Sequence, residues 1–147
     1  MPENIPLSLT LLYPFAPVDE VDSHRETLVS FFASYEPFEL VLDRLEQWDE
    51  GGAVYAAPSP EEPLRGMMRA LWRLFPQYPP YREEGIDPPP HASLTETGGE
   101  DREATRSRVE QRLAGLLPAR IPIDQVALME EFERDRWRVR ETFRLGA

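Results

Sequence analysis

The chain has no cysteine, no lysine, only two histidines and no long apolar run. Without cysteine, disulfides and thiolate metal sites are excluded. Two histidines are too few for a His-rich zinc site; no cofactor is expected. No apolar stretch reaches the roughly 20 residues that span a bilayer. The N-terminal MPENIPLSLTLLYPF carries an acid where a secretory signal needs a basic segment. A cytoplasmic protein with no membrane partner is therefore expected. Positive charge is also scarce. Sixteen basic residues against 27 acidic ones leave a net charge of −11. Such a surface repels long RNA or DNA but leaves room for a small anion in a locally basic pocket. Every basic residue is Arg, which reads as base composition of the source genome.

Hydrophobic residues make up 41% of 147 positions and aromatics 10%, enough for one globular domain, 1–147, with a real core. A monomer is expected. Proline is abundant. Its 16 copies are about twice the usual share. They cluster at 58–63, 76–80 and 88–90, and read as rigid connections.

Leu7 to Tyr13 alternates apolar and polar residues up to Pro14 and reads as a strand. Asp22 or Ser23 is placed to cap a helix carrying Leu28, Phe31, Phe32 and Tyr35. Phe38–Trp48 and Ala53–Ala57 flank Gly51-Gly52 as a hairpin. Pro60–Phe75 reads as a helix whose buried stripe is Leu64, Met67, Met68, Leu71 and Phe75. A strand follows at 91–96. Asp101–Leu116 reads as a helix with Val109, Leu113 and Leu116 inward. Ile121–Phe132 and Arg136–Leu145 read as two strands joined by a charged turn. This order, β-α-β-β-α-β-α-β-β, predicts an α+β domain with helices packed on antiparallel sheet.

The stretch PPPHASLTE puts His91, Ser93 and Thr95 on one face of a strand and Ala92 and Leu94 on the other. SLTLLYP repeats the pattern with Ser8 and Thr10. Residues 8 and 91 stand 83 positions apart (91 − 8), as do 10 and 93 (93 − 10). At the same offset Gly51 meets Arg134 and Leu45 meets Leu128. The pattern predicts a bilobal, duplicated β-α-β-β architecture. A pseudo-twofold would bring the motif strands, 7–13 and 91–96, together around a central cleft. His91 would then face Ser8, with Leu7, Leu9, Leu11, Ala92 and Leu94 turned toward the helices.

These stretches carry a resemblance. SLTLLYPF resembles the first motif of the 2H phosphoesterases, the 2'-5' RNA ligase-like family, which typically reads His-x-Thr-Leu-Leu-Tyr-Pro-Phe. PHASL resembles the second, Pro-His-x-Ser/Thr-Leu. The ending WRVRETFRLG is similar to the last strand of bacterial members. The resemblance implies the 2'-5' RNA ligase-like fold and metal-independent chemistry on phosphodiesters, including cyclic phosphodiesterase (hydrolase) activity at 2',3'-cyclic phosphates or 2'-5' linkages. One histidine of the pair would take a proton from the nucleophile and the other would give one to the leaving oxygen. The hydroxyls would bind phosphoryl oxygens. Thr10, His91 and Ser93 match the motifs. Ser8 stands where the first histidine belongs, and a serine hydroxyl does not do acid–base work near neutrality. It is left as a phosphate donor in a degenerate site.

Further cleft candidates are Arg138 and Arg140, mid-strand in an Arg-alternating segment, where Arg forks match phosphate oxygens. Pairing with acids such as Glu130 or Asp124 is the alternative. Tyr13, Tyr78 and Tyr81 are placed to stack on a base, or to pack beside prolines. His24 reads as an exposed helix-start residue rather than a substitute for the missing imidazole. Trp48, Trp72 and Trp137 read as core or sheet packing. The expectation is a protein that binds, and weakly hydrolyses, a small phosphodiester or nucleotide ligand. The alternatives are an inactive phosphate-binding or protein-interaction module on the same fold.

Overall fold

The computed structural model describes residues 8–94 and 101–146. Leu7, Thr95 and Glu96 of the expected motif strands lie outside the described residues. The described elements run α1 (Arg25–Ala33), β1 (Phe38–Gln47), β2 (Val54–Pro58), α2 (Leu64–Leu74), β3 (Ala92–Ser93), α3 (Arg102–Arg112), β4 (Ala119–Ile123), β5 (Gln125–Glu133) and β6 (Arg136–Arg144). Two short 3-10 turns, Val21–His24 and Pro80–Arg82, join them. A four-stranded antiparallel sheet has the order β3-β2-β1-β4, and β5-β6 form a separate two-stranded hairpin. This is the α+β, antiparallel class expected.

The β1–β2 hairpin closes where two glycines allow it. Gly51 and Gly52 sit at φ 77° and 71°, a region that side chains with a Cβ rarely occupy. The α2 stripe is buried as its spacing predicts, and the helix serves two clusters at once. Met67, Leu71 and Phe75 pack with Leu28 and Phe32 of α1 and with Phe143 and Leu145 at the C-terminal end. Leu64 and Met68 pack with Leu40, Leu42, Ala56 and Ala92 of the large sheet, joined by Leu9, Leu11 and Leu94. Helix α2 is thus the slab that ties sheet, hairpin and motif segments together.

Several boundaries differ from expectation. The first motif is not a regular strand in its described part. It makes one isolated bridge, Leu9 to Ala92, and then bends through residues 11–14. Neither Asp22 nor Ser23 caps α1. The 3-10 turn precedes it, and the Ser23 hydroxyl donates instead to the Glu20 carbonyl at 2.6 Å. Helix α2 begins at Leu64 rather than Pro60 because Pro60 and Pro63 have no N–H to give a preceding turn. Helix α3 starts on the Asp101 cap, whose carboxylate accepts from the Ala104 N–H at 3.2 Å, but stops at Arg112. Gly115 then turns at φ 80°, which leaves Leu116 61% exposed instead of inward.

The expected strand 121–132 is two strands. Ile123 still pairs with Phe38 in the large sheet, whereas Gln125 already pairs with Arg144 in the hairpin. The chain changes sheets at Asp124, whose carbonyl accepts from the Leu145 N–H at 2.9 Å. Pro122 fits β4 because that strand lies at the sheet edge.

Candidate functional site

The Leu9–Ala92 bridge sets the geometry of the site. It is antiparallel. One step either way along it, Thr10 stands opposite His91 and Ser8 opposite Ser93. The expected Ser8–His91 opposition is therefore corrected by register: an antiparallel pair crosses the two motifs end for end. Leu9 and Ala92 join the core beneath. Ser8, Thr10, His91 and Ser93 line one cleft between the large sheet and the β5–β6 hairpin. Ser8 and Thr10 are exposed, Ser93 is half-buried, and His91 is 8% exposed.

Two hydrogen bonds orient the His91 ring. Its Nδ1 lies 2.7 Å from the Pro89 carbonyl, which can only accept. Nδ1 therefore carries the proton in the neutral ring, and Nε2 offers its lone pair to the Tyr81 hydroxyl at 3.3 Å. Trp48 and Tyr55 meet the ring edge-on, with centroids at 5.2 and 5.7 Å. The stiff Pro88–Pro90 run thus has a local purpose: it holds the carbonyl that fixes the tautomer. Burial pushes the Tyr81 hydroxyl pKa up, so the group stays protonated and donates.

The loop before His91 is tied down on both sides. Asp87 accepts from Arg69 Nε at 3.1 Å and from Arg65 Nη2 at 3.0 Å, both on α2. Those bonds, Arg69's first, hold its carboxyl down at about 2. The Tyr81 N–H donates to the Tyr13 carbonyl at 2.6 Å. On the first motif, the Trp72 indole N–H donates to the Leu11 carbonyl at 2.8 Å. Trp72 therefore anchors the bent motif segment onto α2.

The aromatic and basic candidates divide. Tyr81, Tyr13 and Trp137 form a chain across the cleft, with ring centroids 6.3 and 5.9 Å apart. All three line it. Tyr78 does not; it sits with Phe15, Phe75 and His24 in an aromatic cluster and bonds His24 Nε2 at 3.1 Å. His24 is accordingly half-buried rather than exposed, and it is committed away from the cleft. Arg138 also lies outside the lining. It bonds Glu130 at 2.8 Å and covers the Phe132 ring. Arg140 reaches the cleft but is held by Glu130 at 2.7 Å and Asp22 at 3.0 Å. The two guanidiniums, Arg138 first, keep the Glu130 carboxyl below the usual range. The acid-paired alternative therefore describes these arginines better than a phosphate wall does.

Sequence reasoning passed over the basic groups that are free. Arg82 and Arg134 line the cleft, and among the described residues neither has an ion-pair partner. It also assigned Trp48 and Trp137 to packing alone, whereas one flanks His91 and the other closes the tyrosine chain. The only signal for Arg82 was its place in YPPYRE between two proline clusters. Among the described residues, no group of three or more His, Asp or Glu is arranged to hold a metal ion. No helix there is long and apolar enough to cross a membrane.

The sequence profile of the 2'-5' RNA ligase superfamily matches residues 2–135. The chain belongs to that superfamily. The match takes in both motif segments, the β1–β2 hairpin and the three helices α1 to α3 of the described residues, and it stops before β6. No curated protein matches the chain.

Proposed function

We propose that this 2'-5' RNA ligase superfamily member binds a small 2',3'-cyclic or 2'-5' phosphodiester nucleotide in the cleft and hydrolyses it slowly without a metal. The observation that carries the reading is the Leu9–Ala92 bridge, because it gives four motif side chains a common cleft. In this reading Thr10, Ser93 and Ser8 donate hydroxyl hydrogen bonds to phosphoryl oxygens. His91 Nε2 takes the proton of the attacking water. Arg82 and Arg134 supply positive charge, and Tyr13, Tyr81 and Trp137 offer faces for a base. The chain works as one domain of two pseudo-symmetric lobes, a monomer in the bacterial cytoplasm.

A second reading keeps the binding and drops the turnover. Ser8 favours it, since the first motif has no imidazole. The test compares wild type, His91→Ala and Ser8→His on 2',3'-cyclic nucleotides. Slow hydrolysis that falls about 10²- to 10⁴-fold in His91→Ala supports the first reading. Hydrolysis that survives His91→Ala overturns it. An inert wild type with an active Ser8→His variant supports the second.

A further inference from the structure

The first motif supplies no second proton carrier, yet His91 already has a proton-bearing partner. The Tyr81 hydroxyl donates to Nε2 at 3.3 Å, on the nitrogen that the Pro89 carbonyl leaves unprotonated. The backbone that holds this tyrosine is strained. Tyr81 and Arg82 occupy φ 53° and 60°, a left-handed region that residues with a Cβ rarely adopt. The Tyr13 carbonyl and the Tyr13 ring keep the turn in place. Such strain persists where the surroundings over-determine a side-chain position, and the position here is the cleft edge beside His91. Two of the other acids lining the cleft are engaged elsewhere, and the third, Asp135, sits exposed at the tip of the β5–β6 turn. Glu130 is held by Arg138 and Arg140, and Glu131 accepts from the Asp135 N–H at 2.9 Å.

We infer that Tyr81 is a catalytic residue of this chain, the proton donor to the leaving oxygen in place of the imidazole that Ser8 lacks. The inference rests on the hydrolytic reading above. Nε2 has one lone pair, so water and the Tyr81 hydroxyl take it in turn. Water displaces the hydroxyl from Nε2, and the freed O–H turns toward the scissile phosphorus–oxygen bond while the turn keeps the ring at the cleft edge. The water oxygen bonds to phosphorus as its proton passes to Nε2. The bond to the leaving ribose oxygen breaks, and that oxygen takes the Tyr81 proton. The imidazolium then returns its proton to the tyrosinate across the contact seen at rest. One water is consumed, one phosphomonoester and one hydroxyl are formed, and both side chains are restored.

The test is a double-mutant comparison on 2',3'-cyclic AMP, with wild type, Tyr81→Phe, Ser8→His and the double variant. Tyr81→Phe keeps the ring and its contacts and removes only the hydroxyl. It is expected to lower kcat about 10²- to 10⁴-fold with KM within about threefold. In the Ser8→His background the same change is expected to cost less than about tenfold, since a second imidazole then carries the proton. Equal losses in both backgrounds, or none in wild type, overturn the inference. A parallel titration with adenosine 2'-monophosphate, followed by tryptophan fluorescence, separates the two claims. Wild type that binds this nucleotide but never turns over the cyclic substrate overturns the role of Tyr81 and leaves the anion cleft standing. Wild type that neither binds nor turns over overturns the proposed function as well.

Discussion

Asp87→Asn tests whether the loop that delivers His91 is held electrostatically. The carboxylate takes hydrogen bonds from Arg69 and Arg65, and its pKa falls from 3.8 to about 2. At about 1.36 kcal/mol per unit, that depression corresponds to about 2.4 kcal/mol of linkage. The Asp87 side chain is 46% exposed and the Arg69 side chain 42%, so solvent screening reduces the contribution to about 1 kcal/mol. Asparagine keeps the shape and loses the charge. Urea denaturation at pH 7 is expected to show Asp87→Asn about 1 kcal/mol less stable, or roughly 3 °C lower in Tm. The pH dependence has a fixed sign. A depressed carboxyl contributes fully above its unfolded value of 3.8 and loses the contribution as pH falls toward about 2. The gap between wild type and variant is therefore expected to be roughly halved by pH 3. A gap that is absent at pH 7, or that widens on acidification, refutes the reasoning.

Three more outcomes follow from the same structure. Met67→Ala, at a side chain 1% exposed where α2 meets α1 and the C-terminal strand, is expected to cost about 2–5 kcal/mol in urea denaturation; a loss under 1 kcal/mol contradicts the core described. Trp72→Phe removes the bond to the Leu11 carbonyl and is expected to cost about 1 kcal/mol, with faster hydrogen exchange confined to residues 9–14; unchanged exchange there contradicts the anchoring role. Arg82→Ala and Arg134→Ala are each expected to weaken adenosine 2'-monophosphate binding about tenfold at low salt and less at high salt; salt-independent binding in wild type contradicts their electrostatic role.

The parts of the fold legible in the sequence are those fixed by local chemistry. Gly51-Gly52 could only be a turn, and the Leu64-to-Phe75 spacing could only bury one side of a helix. The parts that failed depend on tertiary partners. Nothing local separates β4 from β5 at Asp124, because the switch exists only where one strand meets β1 and the next meets β6. Arg138 and Arg140 share an alternating strand, but only the folded hairpin sets Glu130 across from Arg138. The candidate site divides along the same line. The two motifs were visible as a repeat at a constant offset. The partner of His91 was not, because Tyr81 is ten residues away across a proline loop whose path no periodicity records.

The central claim is that the two motif segments converge on one anion. The most direct measurement is an NMR titration of the wild-type protein with adenosine 2'-monophosphate, following the Thr10 and Ser93 amides and the His91 ring nitrogens. All three are expected to shift together along one binding curve, with the free ring in the Nδ1–H tautomer. Shifts confined to one motif, or a His91 ring indifferent to the nucleotide, contradict the account.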